Sequence, residues 1–365
     1  MCQAPKRTAI YKGILQGDND LNLETNFLRW TRDNEWKAPA QPSVTLDNGT
    51  LVEIWDTGVI VFTPQQPNER DIVLSCVVHG DETAPIEICD ALIERLRKGA
   101  LETKSRLMFL IANPAAINVG RRFVEENMNR LFSGAHSAAP GLVNKERERA
   151  KQLELYVERF FQEAPCSTQQ PRARLHYDMH TAIRDSEHEK FAIYPYTNGK
   201  AYKQEQLQML HAMGVPVVLL HDGPTTTFSY FSVNEFGADA FTVELGKVRP
   251  FGENDMSRFA QVKSMLEQLI TDTLTLDEVS VETMHIYQVR RNINRTCEDF
   301  ELNFPNEVAN FTSFPVGYTL ARDGADHYLV EAEGEAIVFP NAKVALGQRA
   351  LLTVVPITVN NIKLV

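Results

Sequence analysis

The sequence predicts an α/β fold: a mixed or mainly parallel sheet covered on both faces by helices, followed by a small C-terminal all-β domain. Three observations carry this. Near-continuous apolar runs, Ile72 to Val78 (IVLSCVV) above all, have the composition of strands buried on both faces. Segments with helical spacing stand between such runs, which places helices on the faces of the sheet. After about residue 275 the helical period stops, and short β-type runs punctuated by Pro and Gly take its place.

The elements follow in order. Residues 1–45 are polar and mixed and read as an N-terminal extension packed on the main domain, with Trp30 and Trp36 as anchors. Val44 to Pro64 alternates in the β manner, with turn signals at Asp47-Asn48-Gly49 and Asp56-Thr57-Gly58, so two or three antiparallel strands are expected. The strand Ile72 to Val78 leads into a helix over Thr83 to Lys98 that Gly99 ends. Arg106 to Ala112 is a second apolar strand, and Asn144 to Gln162 a charged amphipathic helix. Leu175 to Met179, Phe191 to Tyr194, Val215 to Leu220 and Ala240 to Leu245 are further strands, and Met256 to Leu274 is a helix. The tail offers β runs at Met284 to Arg290, Tyr318 to Ala321, His327 to Val330, Ala336 to Phe339 and Leu351 to Val355. Domains are therefore expected over 46–275 (α/β) and 276–365 (all-β), in keeping with about two domains for 365 residues.

Composition excludes several classes. Hydrophobic residues make up 43% and charged residues 23%, which rules out a disordered or fibrous chain. A net charge of −11 argues against nucleic acid as a partner, although a local cluster of Arg and Lys can still hold an anion. The longest apolar stretch, Leu107 to Val119, is broken by Asn113 and Pro114, so no membrane span is expected. The N-terminus lacks the apolar core of a signal peptide. The five cysteines are scattered, with no CxxC pair, and fit small buried side chains in a reducing, cytoplasmic setting.

Four clusters could carry chemistry, each at the carboxyl end of an expected strand, where open α/β sheets bind ligands. His79-Gly80-Asp81-Glu82 follows IVLSCVV, and His79 and Glu82 are close enough to share a metal ion. About one His-x-x-acid match is expected by chance in a chain with 9 His and 48 acidic residues, so the position carries the signal rather than the spacing. Asp178-Met179-His180-Thr181 offers His180 as a third ligand, with Asp178 on the same strand face to orient it. His176 shares that face but lies deeper in the strand. Glu244, in FTVELG, is a carboxylate in an apolar strand and a candidate general base with a raised pKa. Arg121-Arg122 and Asn127-Met128-Asn129-Arg130 form a basic loop suited to an anion pocket.

Asp56-Thr57-Gly58 matches an aspartic-protease triplet, but that chemistry needs two such carboxylates, and a hairpin turn accounts for a single copy. No G-x-S-x-G, G-x-G-x-x-G or Walker A pattern is present. His188, His211 and His221 have no partner at ligand spacing and read as structural or surface residues.

HGDE, NMNR, DMHTAIR and FTVELGK, in that order, resemble the zinc carboxypeptidase superfamily, and within it the succinylglutamate desuccinylase and aspartoacylase branch. HTAIRDSEHEKFAIYP and FTVELGKVRPFGEND are most similar to the desuccinylase side of that branch. The resemblance spans roughly residues 45–270, and the β-rich tail is similar to the family's C-terminal domain. It implies a zinc-carboxypeptidase-like sheet and a hydrolase with one Zn2+ per chain. His79, Glu82 and His180 match the family's zinc ligands. Glu244 matches the glutamate that deprotonates the attacking water and returns the proton to the leaving amine, and Arg122 the arginine that polarises the scissile carbonyl. Asn129 and Arg130 match a pair that grips a substrate carboxylate, while Asn127 stands where the aspartoacylase motif has Asp.

The implied reaction is hydrolysis of N2-succinylglutamate to succinate and glutamate, the last step of a bacterial arginine-degradation route. The partner is a small anionic N-acyl amino acid, which Arg184, Lys190, Lys247 or Arg249 could help to bind. An aspartoacylase-like deacylase or a metallocarboxypeptidase would share the same ligands, and a non-catalytic dicarboxylate-binding protein is a reading from another class. The sequence leaves oligomeric state open.

Overall fold

Period-two alternation sorts the buried side chains of each central strand onto two separate cores. The computed structural model describes residues 25–165 and 171–365. The first 24 positions of the expected N-terminal extension, with Cys2, and also Cys166, lie outside the described residues. The elements begin with α1 (Phe27–Asp33), β1 (Ser43–Thr45), β2 (Leu51–Asp56), β3 (Val59–Thr63), β4 (Arg70–Cys76), α2 (Thr83–Arg97), β5 (Arg106–Ile111), α3 (Pro114–Val119) and α4 (Lys145–Gln162). Then come β6 (Ala173–Ala182), β7 (Phe191–Tyr194), α5 (Gln204–Ala212), β8 (Val217–Leu220), α6 (Phe228–Phe236), β9 (Asp239–Lys247) and α7 (Ala260–Thr271). The tail carries β10 (His285–Asn294), β11 (Glu301–Leu302), β12 (Thr319–Asp323), β13 (Asp326–Leu329), β14 (Ala336–Val338) and β15 (Arg349–Ile357).

Among the described residues, 12 strands form one mixed sheet in the order β1-β2-β3-β5-β4-β6-β9-β7-β8-β10-β15-β14. β5, β4, β6 and β9 pair in parallel, as do β7, β8 and β10, while β7 meets β9 antiparallel. Ile60, Phe62, Ile72, Leu74, Leu107 and Phe109 face a core that they share with α1, α2, α5 and α7. Their neighbours Val59, Val61, Val73, Met108 and Leu110 face the other core, beneath α4 and α6. On β6 the same alternation sends Leu175, Tyr177 and Met179 to the first core and leaves His176, Asp178 and His180 on the second face. Thr242 and Glu244 of β9 lie on that face too, opposite Phe241, Val243 and Leu245.

Two local details fix where loops start. Asp56-Thr57-Gly58 is the β2–β3 turn. Gly58 has φ +66°, and a Cβ there would lie 2.3 Å from the Ile111 carbonyl oxygen. Asp56 accepts hydrogen bonds from Arg149 (3.1 Å) and Tyr156 (3.0 Å), so it is tied into structure. Asn113 and Pro114, which read as breaks in the sequence, start α3: Asn113 caps the Ala116 amide and Pro114 takes the first turn.

The tail is continuous with the main sheet through the parallel pairing of β10 with β8. Phe191, Val217 and Leu219 share a core with Val289, Phe311, Val338 and Val354. A separate cluster, including Ile293, Leu320, Ile337 and Leu351, lies within the tail, where β11, β12 and β13 form a small sheet of their own. No described helix is long and apolar enough to cross a membrane. Trp30 packs into the main core and Trp36 is half-buried. Cys76 and Cys89 are buried thiols, whereas Cys297 is half-buried.

Candidate active site

The chain leaves β4 through Val77, a β-branched residue at φ +67°, a left-handed conformation that costs about 1–3 kcal/mol outside glycine. That turn brings His79 to the sheet edge. Gly80 follows where a Cβ would lie 2.2 Å from the Ala116 carbonyl carbon, so only glycine lets this loop lie against α3. The Gly80 amide donates to the Arg122 carbonyl (3.0 Å), which joins the loop to the basic segment. Glu82 then stands at the N-cap of α2.

His180 projects from the neighbouring strand, and its register partner on β9 is Glu244. His79 Nδ1 lies 2.8 Å from Glu82 Oε1, and His180 Nδ1 lies 2.9 Å from Glu82 Oε2. The three side chains are buried, and one ligand atom from each lies within 4.8 Å of the others. Each imidazole is fixed from behind: His79 Nε2 meets Asn127 Oδ1 at 2.9 Å, and His180 Nε2 meets Asp178 Oδ2 at 2.8 Å. With both Nε2 atoms donating to these oxygens, a bound ion would take the Nδ1 lone pairs on the Glu82 side, the arrangement that zinc-binding histidines use. Asp178 is itself held by Ser75 Oγ (2.5 Å), which also meets His176 Nε2 (2.8 Å). His176 therefore belongs to the support behind the cluster and not to the cluster.

Burial and the neighbouring charges act on the three side chains in different directions. Burial pushes His79 down to about 4, with Arg122 adding to the effect. Burial acts on His180 in the same direction, but Asp178 and Glu82 outweigh it and hold its pKa well above the usual value. Burial would raise Glu82, yet His79 and His180 keep it well below the ordinary carboxylate range. Two histidines and a carboxylate converging in this way fit a zinc ion with an open position.

Glu244 differs from Glu82. Burial raises its carboxyl to about 7, and its Oε2 has no hydrogen-bond partner. It lines a cavity of about 460 Å³ together with His79, His180, Arg122, Asn129 and Arg130. Arg122 donates to Glu82 Oε1 at 2.7 Å. Asn129 Oδ1 accepts from the Phe228 amide at the start of α6 (3.2 Å). Arg130 donates to the Asn129 carbonyl (2.9 Å), and Arg121 is exposed outside the cavity. The buried Glu146 of α4 accepts from the Val124 and Glu125 amides (2.6 and 3.3 Å) and anchors the loop that presents these residues.

The four additional basic residues separate. Arg184 lines the cavity, but its guanidinium donates to the Val308 and Pro340 carbonyls (2.9 and 3.1 Å). Lys247 and Arg249 line a smaller cavity of about 320 Å³, where Lys247 pairs with Asp185 (2.8 Å). Lys190 donates to the Arg258 carbonyl. The main cavity also takes in Arg349, from the tail, and His221, which the sequence reads as structural or surface and which lies in the cavity wall. Neither has a local motif, because tertiary packing alone brings them there.

Residues 68–270 match the family described as Succinylglutamate desuccinylase/Aspartoacylase catalytic domain, and residues 282–357 match the AstE/AspA barrel-sandwich hybrid domain. The chain belongs to the succinylglutamate desuccinylase/aspartoacylase family. Within that family it is 54% identical over 342 residues to a succinylglutamate desuccinylase of Idiomarina loihiensis, covering 93% of this chain and 98% of that protein. A succinylglutamate desuccinylase of Shewanella sp. (strain MR-4) is also 54% identical, over 332 residues, covering 91% of this chain and 95% of that protein. The solved structure of succinylglutamate desuccinylase from Vibrio parahaemolyticus superposes with TM-score 0.83 at 35% identity, covering 92% of this chain and 96% of that one. That from Chromobacterium violaceum gives 0.79 at 36%, covering 92% and 98%. The family's mixed α/β sheet flanked by helices, with its C-terminal β domain, is the architecture described above.

Proposed function

We propose that this chain hydrolyses the amide bond of N2-succinyl-L-glutamate to succinate and L-glutamate, with one Zn2+ held by His79 Nδ1, Glu82 and His180 Nδ1. The observation that carries the reading is Glu244. It is a buried carboxylate with an unpartnered oxygen, facing the cavity beside two histidines and a glutamate that converge on one point. The names of the relatives at 54% identity support the substrate.

The ion, when bound, supplies Lewis acidity and acidifies a water molecule. Glu244 takes the proton of the attacking water and passes it to the departing amine nitrogen, a role that suits a carboxyl raised to about 7. Arg122 donates to the carbonyl oxygen as negative charge develops there; loss of one such donor costs about 10²–10³ in rate. Asn129 and Arg130 hold a substrate carboxylate at the cavity wall. The reaction stands at the end of a bacterial route of arginine degradation by succinyl transfer. The buried free thiols Cys76 and Cys89 are in keeping with a cytoplasmic setting.

The test is succinate release from N-succinylglutamate by zinc-loaded protein, with a chelated sample as control and N-acetylaspartate as competitor. Zinc-dependent release with strong preference for the succinyl substrate is expected. Zinc-replete protein that releases no succinate would overturn the reading.

A further inference from the structure

We propose that Arg349, supplied by the C-terminal β region, reads the side-chain carboxylate of the amino-acid half of the substrate. The inference rests on the function proposed above and names the residue that selects an acidic amino acid at that site.

Arg349 opens β15 and lines the same cavity as Glu244, His180 and Arg130. It is half-buried, its backbone pairs with Asn294 of β10, and its guanidinium makes no hydrogen bond or ion pair among the described residues. Arg130 lines the same cavity, and its charge acts on Arg349. Burial, and then Arg130, lowers Arg349 to about 9, while burial, and then Arg122, lowers Arg130 to about 10. Two neighbouring guanidinium groups without a carboxylate partner are costly, and that cost is offset when anionic groups enter between them. Each planar fork can take one carboxylate, so two forks on one cavity accommodate a substrate with two carboxylates. An α-amino dicarboxylate has that pair on a single short chain. Arg130, with Asn129, holds one carboxylate, and Arg349 takes the other. His221 adds no competing charge. Its pKa is lowered to about 4, by burial first and then by Arg349, and its Nε2 is unpartnered in the same wall.

Arg130 and Arg349 thus bring two guanidinium groups to one cavity. Arg184, which also lines the cavity, is occupied by the Val308 and Pro340 carbonyls. The placement also gives the tail a part in the reaction: it completes the binding pocket with a charge that the α/β strands do not provide.

The experiment compares kcat/KM for N-succinylglutamate, for N-succinylglutamine, which replaces the side-chain carboxylate by a neutral amide, and for N-butyrylglutamate, which lacks the succinyl carboxylate. Wild type and Arg349→Met, which keeps the aliphatic stem, are measured together with Arg349→Lys. Arg349→Met is expected to lose about 10–100-fold on N-succinylglutamate, chiefly in KM, and little on N-succinylglutamine. Arg349→Lys recovers part of the loss. Partial misfolding lowers all rates in common and leaves the ratio between substrates untouched. An unchanged glutamate-to-glutamine ratio in Arg349→Met overturns the proposal. So does a loss that vanishes on N-butyrylglutamate, because Arg349 would then read the succinyl end. Wild-type protein that cleaves none of the three overturns the proposed function as well.

Discussion

At the scale of single residues, the site depends on side chains that act through others. Asp178 touches His180 Nε2 and sets which imidazole nitrogen faces Glu82. Asp178→Asn is expected to weaken zinc affinity about 10–100-fold, and competition against a chelating dye reads this directly. Unaltered affinity would show that Asp178 does not orient the ligand. Arg130→Ala should raise KM with a smaller effect on kcat, because Arg130 lies at the cavity wall and its guanidinium donates to the Asn129 carbonyl and to no carboxylate among the described residues. A collapsed kcat at unchanged KM would move it to the reacting carbonyl. His79, Glu82, His180 and Glu244 were legible in the sequence because each stands in a run of residues with an apolar strand just before it. Arg349 and His221 were not. Their neighbours in the cavity come from strands far away in sequence, and no spacing records that contact.

At the scale of elements, the long buried strands and the two amphipathic helices α2 and α4 could be read from period and composition. The short helices could not. α3 has six residues and begins with Asn-Pro, a pair that also signals a break; its cap decides the matter only once the chain has packed. α6, FSYFSVNEF, is rich in aromatics with weak helical spacing, and burial of Phe228 and Phe231 holds it in place. The expected helix over Met256 to Leu274 divides into a 3₁₀ turn (Met256–Phe259) and α7, and Asp272 at φ +58° ends it early. Contact between the His79 loop and α3 is the tightest of these joints. Gly80→Ala would drive a methyl into the Ala116 backbone, with an expected cost of about 1–3 kcal/mol and a loss of zinc affinity as His79 shifts. Thermal unfolding and metal titration check both. A variant with wild-type melting temperature and affinity would show that the loop has room to spare.

At the scale of the whole molecule, one sheet runs from the catalytic strands into the tail, so the β region is a structural partner of the site. Its anchor is Glu335, buried and bonded by the Glu331 amide (2.8 Å) and by Arg291 (2.5 Å). Burial would raise this carboxyl, but those donors outweigh it and hold its pKa below the ordinary carboxylate range. The unfolded chain therefore binds this proton more readily. The contribution of Glu335 is complete above about pH 5 and is lost as pH falls through the folded-state pKa. Glu335→Gln should cost about 1–3 kcal/mol near neutrality, with the gap to wild type closing in acid; denaturant unfolding across pH measures it. A gap independent of pH would remove the charge from the explanation. The continuity of the sheet was not visible in the sequence, where the loss of helical period after about residue 275 marks a change of texture and says nothing about which strand pairs with β8. Whether Glu244 carries the proton of a metal-assisted amide hydrolysis is read from kcat of Glu244→Gln on N-succinylglutamate at full zinc occupancy. Zinc is expected to stay bound and kcat to fall about 10²–10⁴; a zinc-replete variant with near wild-type turnover would remove Glu244 from the proton path.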